Sequence, residues 1–376
     1  MITLEVNGNR YTGFTDITVF RSIETISGSF DFSATSSDTL VFPIAAQDAC
    51  KVYIGNIPVI NGFVESVSVS YDASSHSISI SGRDRTCDVI DSTIIGAKNF
   101  SGQSLVKIIQ KVLSDNGLST ISVINNTGSS ITAFNDAESS SSPVSQTIFE
   151  FIESYARKRQ ILITTDGEGN IVLARASTIV SSAVLENIIG GQFNNIKSAT
   201  VNYDFTKRFY KYVMQSQQSP SSTLSFGDVA LENVAVQTGS YIDNTIRNTR
   251  ITEVISETSD LTTNLSQLAS WTANLARTRS TEYKAVVQGY FLDSSKAEIW
   301  KPNLLVKVTD DFCNINATLL IKSVEYKLSV NDGSTTIITL VDADSYTLES
   351  QVEDATRKRN KKANKKGDEL TWTDPN

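Results

Sequence analysis

Histidine is almost absent: His76 is the only one in 376 residues. A multi-histidine metal site is thereby excluded, and any Ser-His-Asp or Cys-His relay would have to pass through this one side chain. It lies in "YDASSHSISIS", which reads as a hairpin connection with nothing nearby to orient an imidazole. Cysteine is nearly as scarce. Cys50, Cys87 and Cys313 are odd in number, far apart and without a CxxC pair. That spacing argues against a disulfide framework or a zinc site, and for a chain made in a reducing cytosol. No run approaches the roughly 18 apolar residues of a membrane span. The N-terminus lacks the charged-then-apolar pattern of a secretory signal, so none is expected.

The signatures of common chemistries are missing as well. There is no GxxxxGKS/T loop and no GxGxxG after a strand, so nucleotide binding has no support. "DGEGN" does not continue into a twelve-residue calcium loop and is explained by a hairpin. No stretch singles out a pair of carboxylates suited to glycoside hydrolysis. Neither an enzymatic activity nor a cofactor is expected.

What is present is serine, threonine and alternation. Residues 1–95 contain "ITLEVNG", "DITVFRSIETI", "GSFDFSAT", "KVYIGNIPVINGFVESVSVSYD" and "HSISISG", each alternating apolar and polar residues between Gly, Asn and Asp punctuation. That period marks strands of a small antiparallel barrel or sandwich. Residues 96–180 change to an α+β pattern. Leu105, Ile108, Ile109, Val112 and Leu113 fall on one helical face, with Ser101 or Ser104 as cap and Gly117 as stop. A second helix is expected in "PVSQTIFEFIESYARKRQ", with Pro143 near its start and Ile148, Phe151, Ile152 and Tyr155 as its stripe. "ILITTDGEGNIVLARA" follows as a hairpin.

Residues 181–345 return to strands, interrupted by a long helix near 260–282 whose seam is Leu261, Leu265, Leu268 and Leu275. Asn331-Asp332-Gly333 marks a further hairpin turn. The expected fold class is mainly β with an α+β insert: two antiparallel β-barrels flanking a small α+β domain. No sequence repeat links the two β regions, so any likeness between them is architectural. Residues 346–376 read as a basic, flexible tail. The net charge of −8 divides unevenly: residues 355–376 hold seven Lys/Arg against three Asp/Glu, and the rest of the chain carries −12. An acidic body does not suit a duplex-DNA binder. It suits a wall that DNA slides past.

The densest charge cluster is "SGRDRTCDVIDST", residues 81–93, with Arg83, Asp84, Arg85, Asp88 and Asp91. No histidine, metal ligands or phosphate loop accompanies it. Gly82 is expected to end a strand and permit a sharp turn. Asp84 is placed to cap a short helical turn by accepting from the N–H of Thr86 or Cys87. Cys87, Ile90 and Val89 would turn inward, while Arg83 and Arg85 pair with Asp88, Asp91 or acids elsewhere. These five charged residues are the candidate structural and interface set.

The same stretch resembles the Gly-Arg-Asp-(Lys/Arg)-Thr-Ala-Asp-Leu-Ile-Asp segment of baseplate hub proteins from contractile phage tails, the Mu-type hub especially. Three further stretches resemble that family in the same order. They are "YTGFTDITVFRSIETISGSFDF" around Arg21, Ser22, Ile23 and Glu24, the helix and hairpin "FEFIESYARKRQILITTDGEGNIVLARA", and "IWKPNLLVKV" with Trp300, Pro302, Asn303, Leu304, Leu305 and Val306. Cys87 replaces a frequent Ala, a small change. The resemblance implies a homotrimer with two similar barrels per subunit. Such a trimer mates a sixfold tail-tube protein to a threefold central spike, beside other baseplate proteins and the tape measure protein. It also implies a place in the virion tail baseplate after assembly in the host cytoplasm, with phage DNA passing through the lumen and no membrane segment. Carboxylates from the β regions are expected to line that lumen. The runner-up is a tail-borne peptidoglycan-degrading enzyme; the hub of a headless contractile particle would look the same.

Overall fold

The computed structural model describes residues 1–36, 43–72, 76–95, 98–128, 130–134, 140–141, 146–159, 161–177, 179–216, 238–256, 265–293 and 295–342. The basic tail after 345, Leu261 and Pro143 lie outside them. The first β region holds β1 (Ile2–Val6), β2 (Asn9–Tyr11), β3 (Asp16–Ser22), β4 (Ser29–Ser36), β5 (Ala49–Ile54), β6 (Ile57–Tyr71) and β7 (His76–Asp84), and it closes on the short helix α1 (Cys87–Asp91). The middle region holds β8 (Lys98–Asn99), α2 (Leu105–Asp115), β9 (Val123–Asn126), β10 (Ser140–Ser141), α3 (Ile148–Lys158), β11 (Leu162–Thr165) and β12 (Ile171–Ala174). The second β region holds β13 (Val180–Asn187), β14 (Ile196–Tyr203), β15 (Lys211–Ser216), β16 (Thr238–Ile242), β17 (Ile251–Ser256), α4 (Leu265–Thr278), β18 (Thr281–Gln288), β19 (Leu305–Asp310), β20 (Ile315–Ser329) and β21 (Gly333–Asp342).

The mainly β class with an α+β insert is what the chain adopts. The two β regions, however, are not two separately closed barrels. Among the described residues they share one thirteen-stranded sheet, ordered β14-β18-β21-β20-β3-β4-β7-β6-β5-β1-β2, with β19 on β20 and β13 on β19. The joint is the antiparallel pair β3–β20, from Ser22 opposite Ser323 to Ile17 opposite Leu328. A long strand permits this. β20 has 15 residues; its first part pairs with β19, and its last part is left with an edge for β3.

The two regions repeat one topology. The order β3-β4-β7-β6-β5 recurs as β14-β18-β21-β20-β19, antiparallel throughout. β6 and β20 are both 15 residues long. Each carries a bulge at the corresponding place, at Glu65 in β6 and Lys322 in β20. Alternation gives this sheet two unlike faces. Val19, Phe30, Phe32, Ile80, Val324, Tyr326, Ile338 and Leu340 sit in one continuous core. The opposite face is polar: Ser66, Ser68, Ser77, Ser79, Asp31, Thr200 and Lys284 are exposed there.

The middle region has its own core, into which α2 sends Leu105, Ile108, Ile109, Val112 and Leu113, and α3 sends Ile148, Phe151, Ile152 and Tyr155. Both expected apolar stripes are thus the buried faces. α3 begins on a capping box rather than on a proline: the Thr147 hydroxyl accepts from the Glu150 N–H at 3.1 Å, and Glu150 Oε2 accepts from the Thr147 N–H at 2.9 Å. α4 does not sit within a barrel. It covers a separate small sheet, β16-β15-β17, burying Leu265, Ala269 and Ala273 against Tyr212 and Met214. Gly239 makes that approach possible, since a Cβ there would stand 2.4 Å from the Leu265 backbone.

Candidate functional site

The charged corner sits where the first β region meets the middle region. β7 runs through to Asp84, so Gly82 is inside a strand and does not end it. It is required for a different reason. A Cβ at Gly82 would lie 2.2 Å from the Phe63 carbonyl and 2.5 Å from the Phe30 ring, and one at Gly62 would lie 1.9 Å from the Arg83 carbonyl. The two glycines let β6 and β7 close up beside the Glu65 bulge.

The five charged residues divide into an outward and an inward group. Arg83 faces outward and takes Glu65 in a two-point grip, with Nε to Oε2 at 2.7 Å and Nη2 to Oε1 at 2.6 Å, and reaches Asp91 Oδ2 at 2.5 Å. Asp91 is the most exposed of the three. Asp88 is half-buried beside Cys87; burial and then the neighbouring Asp91 charge push its carboxyl up. Burial pushes the Cys87 thiol up to about 12, so it is an inert core group.

Asp84 and Arg85 face inward. Asp84 is fully buried. Its Oδ1 accepts from the Thr86 N–H at 3.0 Å and lies 3.0 Å from the Thr86 hydroxyl, and its Oδ2 accepts from the Thr165 hydroxyl at 3.1 Å. The α1 cap position belongs to Thr86, which makes no side-chain capping bond. Asp84 therefore closes a turn two residues ahead of the helix and is not its cap. Burial raises its carboxyl above the usual range, outweighing the Thr86 and Thr165 hydrogen bonds and the Arg21 charge. Arg85 pairs with no acid in the cluster. Its Nη2 donates to the Glu168 carbonyl at 2.5 Å and its Nη1 to the Thr120 carbonyl at 3.4 Å.

The inward pair is one side of a clamp that residue spacing did not reveal. Asn61 donates to the same Glu168 carbonyl at 2.9 Å, Arg21 donates to the Thr165 carbonyl at 3.0 Å, and the Thr164 hydroxyl donates to the Ser22 carbonyl at 3.2 Å. The β11–β12 hairpin thus docks on the first β region through polar groups. Gly169 at its tip lets Arg85 lie across it, since a Cβ would stand 2.3 Å from Arg85 Nε. The Arg21–Glu24 stretch also reaches the second β region. Glu24 pairs with Lys322 at 3.2 Å, and Ile23 is buried with Leu305, Leu320 and Val341. Asn303 ties the middle region to the second: Oδ1 accepts from the Ser177 N–H at 2.8 Å and Nδ2 donates to the Arg175 carbonyl at 3.1 Å.

His76 opens β7 and stacks on Tyr71, with ring centroids 6.2 Å apart. Among the described residues no three His, Cys, Asp or Glu side chains stand together as a metal site, and no helix is long and apolar enough to cross a membrane. An open cavity of about 440 Å³ beside Asn194, Lys197, Phe291 and Trp300 holds one cation and no acid.

Three family models match the chain in succession. Residues 1–84 match the N-terminal domain of the Mu phage baseplate assembly protein GpP-like family. Residues 86–175 match the second domain of the baseplate hub protein gp44-like family, and residues 262–349 match the fourth domain of the Mu phage baseplate assembly protein GpP. Together the three models cover most of the chain, which is similar along its length to the Mu-type baseplate hub proteins. It is 24% identical over 367 residues to baseplate hub protein gp44 of Escherichia phage Mu, covering 95% of this chain and 92% of that protein. The 43 kDa tail protein of prophage MuSo2 from Shewanella oneidensis shares the fold at a TM-score of 0.75 and 27% identity, over 92% of this chain and 98% of that one. A tail protein from Neisseria meningitidis MC58 superposes at 0.78 with 18% identity, over 92% and 97%. The chain is thus similar along its length to structural proteins of the baseplate, in agreement with the expectation that it is no enzyme.

Proposed function

We propose that the chain forms a homotrimeric hub that joins a sixfold tail tube to a threefold central spike, nucleates tube assembly and encloses part of the DNA path. The observation that carries this reading is the repeated topology. One chain holds the unit β3-β4-β7-β6-β5 and its counterpart β14-β18-β21-β20-β19. Three chains present six such units to a sixfold ring while keeping threefold symmetry for a spike. Residues 1–95 and 181–345 are the two tube-like domains, residues 96–180 the domain between them, and residues 346–376 a basic tail for neighbouring baseplate proteins.

The polar face of the shared sheet is the wall we assign to the DNA path. It carries few carboxylates, in contrast to the expected acidic lining. Hydroxyl side chains from β6, β7 and β14 predominate, and Asp16, Asp31, Glu282 and Glu325 share the face with Lys284 and Lys327. Such a surface offers a polyanion neither a cation array nor strong repulsion. Within this reading Arg83 and Asp91 remain available to neighbours, whereas Asp84 and Arg85 hold the middle domain in place.

A cryo-electron map of the intact particle tests the assignment. Three copies at the tube end nearest the host surface, between tube and spike, are expected. A map that places the chain elsewhere in the particle overturns it.

A further inference from the structure

Among the described residues, the topological repeat leaves two strand edges without the partner that their counterparts have. Inside the chain, the outer edge of β3 pairs with the last part of β20. The counterpart of β3 is β14, which among the described residues pairs only with β18. The counterpart of the last part of β20 is residues 66–71 of β6, beyond the reach of β5, which pairs with residues 57–63. We infer that these two edges pair antiparallel between copies, β14 of one subunit with residues 66–71 of β6 of the next, reproducing the β3–β20 joint. This rests on the trimeric reading and assigns its seam.

The repeat also sets the register. Glu65 and Lys322 are the matching bulge residues, so Val69 corresponds to Tyr326. Following the ladders through β7, β4 and β3 on one side, and through β21, β18 and β14 on the other, matches Val19 to Val201. Within the chain Tyr326 stands opposite Val19. Between copies Val69 therefore stands opposite Val201, Ser68 opposite Asn202 and Tyr71 opposite Ala199. Exposure agrees with a missing partner. Tyr326 and Val19 are both 0% exposed, whereas Val69 is 56% and Tyr71 81% exposed. On the other edge Tyr203 is 56% exposed. Two free edges of this kind invite uncontrolled pairing unless a specific partner covers them. Eight strands run from β6 to β14. Three copies joined by this seam close them into a ring with no edge, which supplies the closure that one chain lacks, with the hydroxyl face inward.

Cysteine pairs test the seam. Val69→Cys with Val201→Cys, and Ser68→Cys with Asn202→Cys, are placed on a Cys313→Ser background, Cys50 and Cys87 being buried. Neighbouring antiparallel positions alternate between close and wide pairs, so one of the two suits a disulfide and a short bis-maleimide serves both. Covalent dimers and trimers on denaturing gels are expected from these pairs and not from the mismatched Ser66→Cys with Thr200→Cys. Solution mass is read on the same samples. Trimers that link only through the mismatched pair, or through none, overturn the seam and leave the trimeric reading standing. Monomers alone overturn both.

Discussion

The hydroxyl of Thr165 donates to the carboxylate of Asp84 across 3.1 Å, between residues 81 positions apart in the chain. This contact turns a corner of the first β region into the anchor for the middle hairpin. Asp84→Ala strips an acceptor from the Thr165 hydroxyl and from the Thr86 N–H in a buried setting, so a loss of about 2–4 kcal/mol is expected in chemical unfolding. Asp84→Asn keeps one acceptor and should lose less.

The same carboxyl supplies a pH test. Its pKa is higher in the folded chain than in the unfolded one, because burial disfavours the charge. The stability linked to it is therefore present below the unfolded carboxylate value and declines as pH rises through the folded one. Asp84→Asn should remove that decline above the unfolded carboxylate value. A stability difference between the two proteins that stays constant as pH rises from the unfolded carboxylate value would contradict the burial argument.

Asp310 carries the opposite sign. Burial pushes its carboxyl up, but hydrogen bonds from the Tyr283 hydroxyl at 2.7 Å, the Cys313 N–H and the Asn187 amide outweigh it and hold the group below the usual range. Its contribution is present above the unfolded value and lost as pH falls through the folded one. Tyr283→Phe should cost about 1.5–3 kcal/mol at neutral pH and less in acid, read from unfolding midpoints at several pH values.

Arg83 contrasts with its neighbour. Its ion pairs to Glu65 and Asp91 are near solvent, with the Asp91 side chain 54% exposed. Arg83→Ala is expected to cost no more than about 1 kcal/mol, and less in high salt. A double-mutant cycle with Glu65→Ala reads the coupling directly.

Gly62→Ala and Gly82→Ala test the close approach of β6 and β7. Each added methyl meets a carbonyl of the partner strand, at 1.9 Å and 2.2 Å respectively. The strands must separate, with a loss of about 1–3 kcal/mol or more in thermal or denaturant melts. Gly102→Ala, which meets nothing within 4 Å, isolates the cost of a positive φ alone.

Local pattern made some of this visible. The stripe Leu105–Leu113 and the stripe Ile148–Tyr155 are each set by contacts within one helix, and both are buried as their spacing requires. The turn at Asn331-Asp332-Gly333 is equally local, with Gly333 at φ 67°. Gly82 was misleading because its partner, Phe63, lies on another strand. Asp84 reads only as the cap of a helical turn because Thr165 and Arg21 are distant in sequence. The start of α3 was written in Thr147 and Glu150 but obscured by Pro143. The joining of the two β regions depends on β3 meeting β20, about 300 residues later, and no local period encodes such a meeting. Their shared topology was invisible for a related reason: the two units place different side chains at matching positions, Val69 against Tyr326 among them.

The mass of the purified protein in solution, measured by light scattering over a wide concentration range, tests the central claim most directly. The hub reading predicts a stable species of about 123 kDa, three times the 41.0 kDa chain. A protein that stays at 41.0 kDa up to the highest concentration attainable would contradict it.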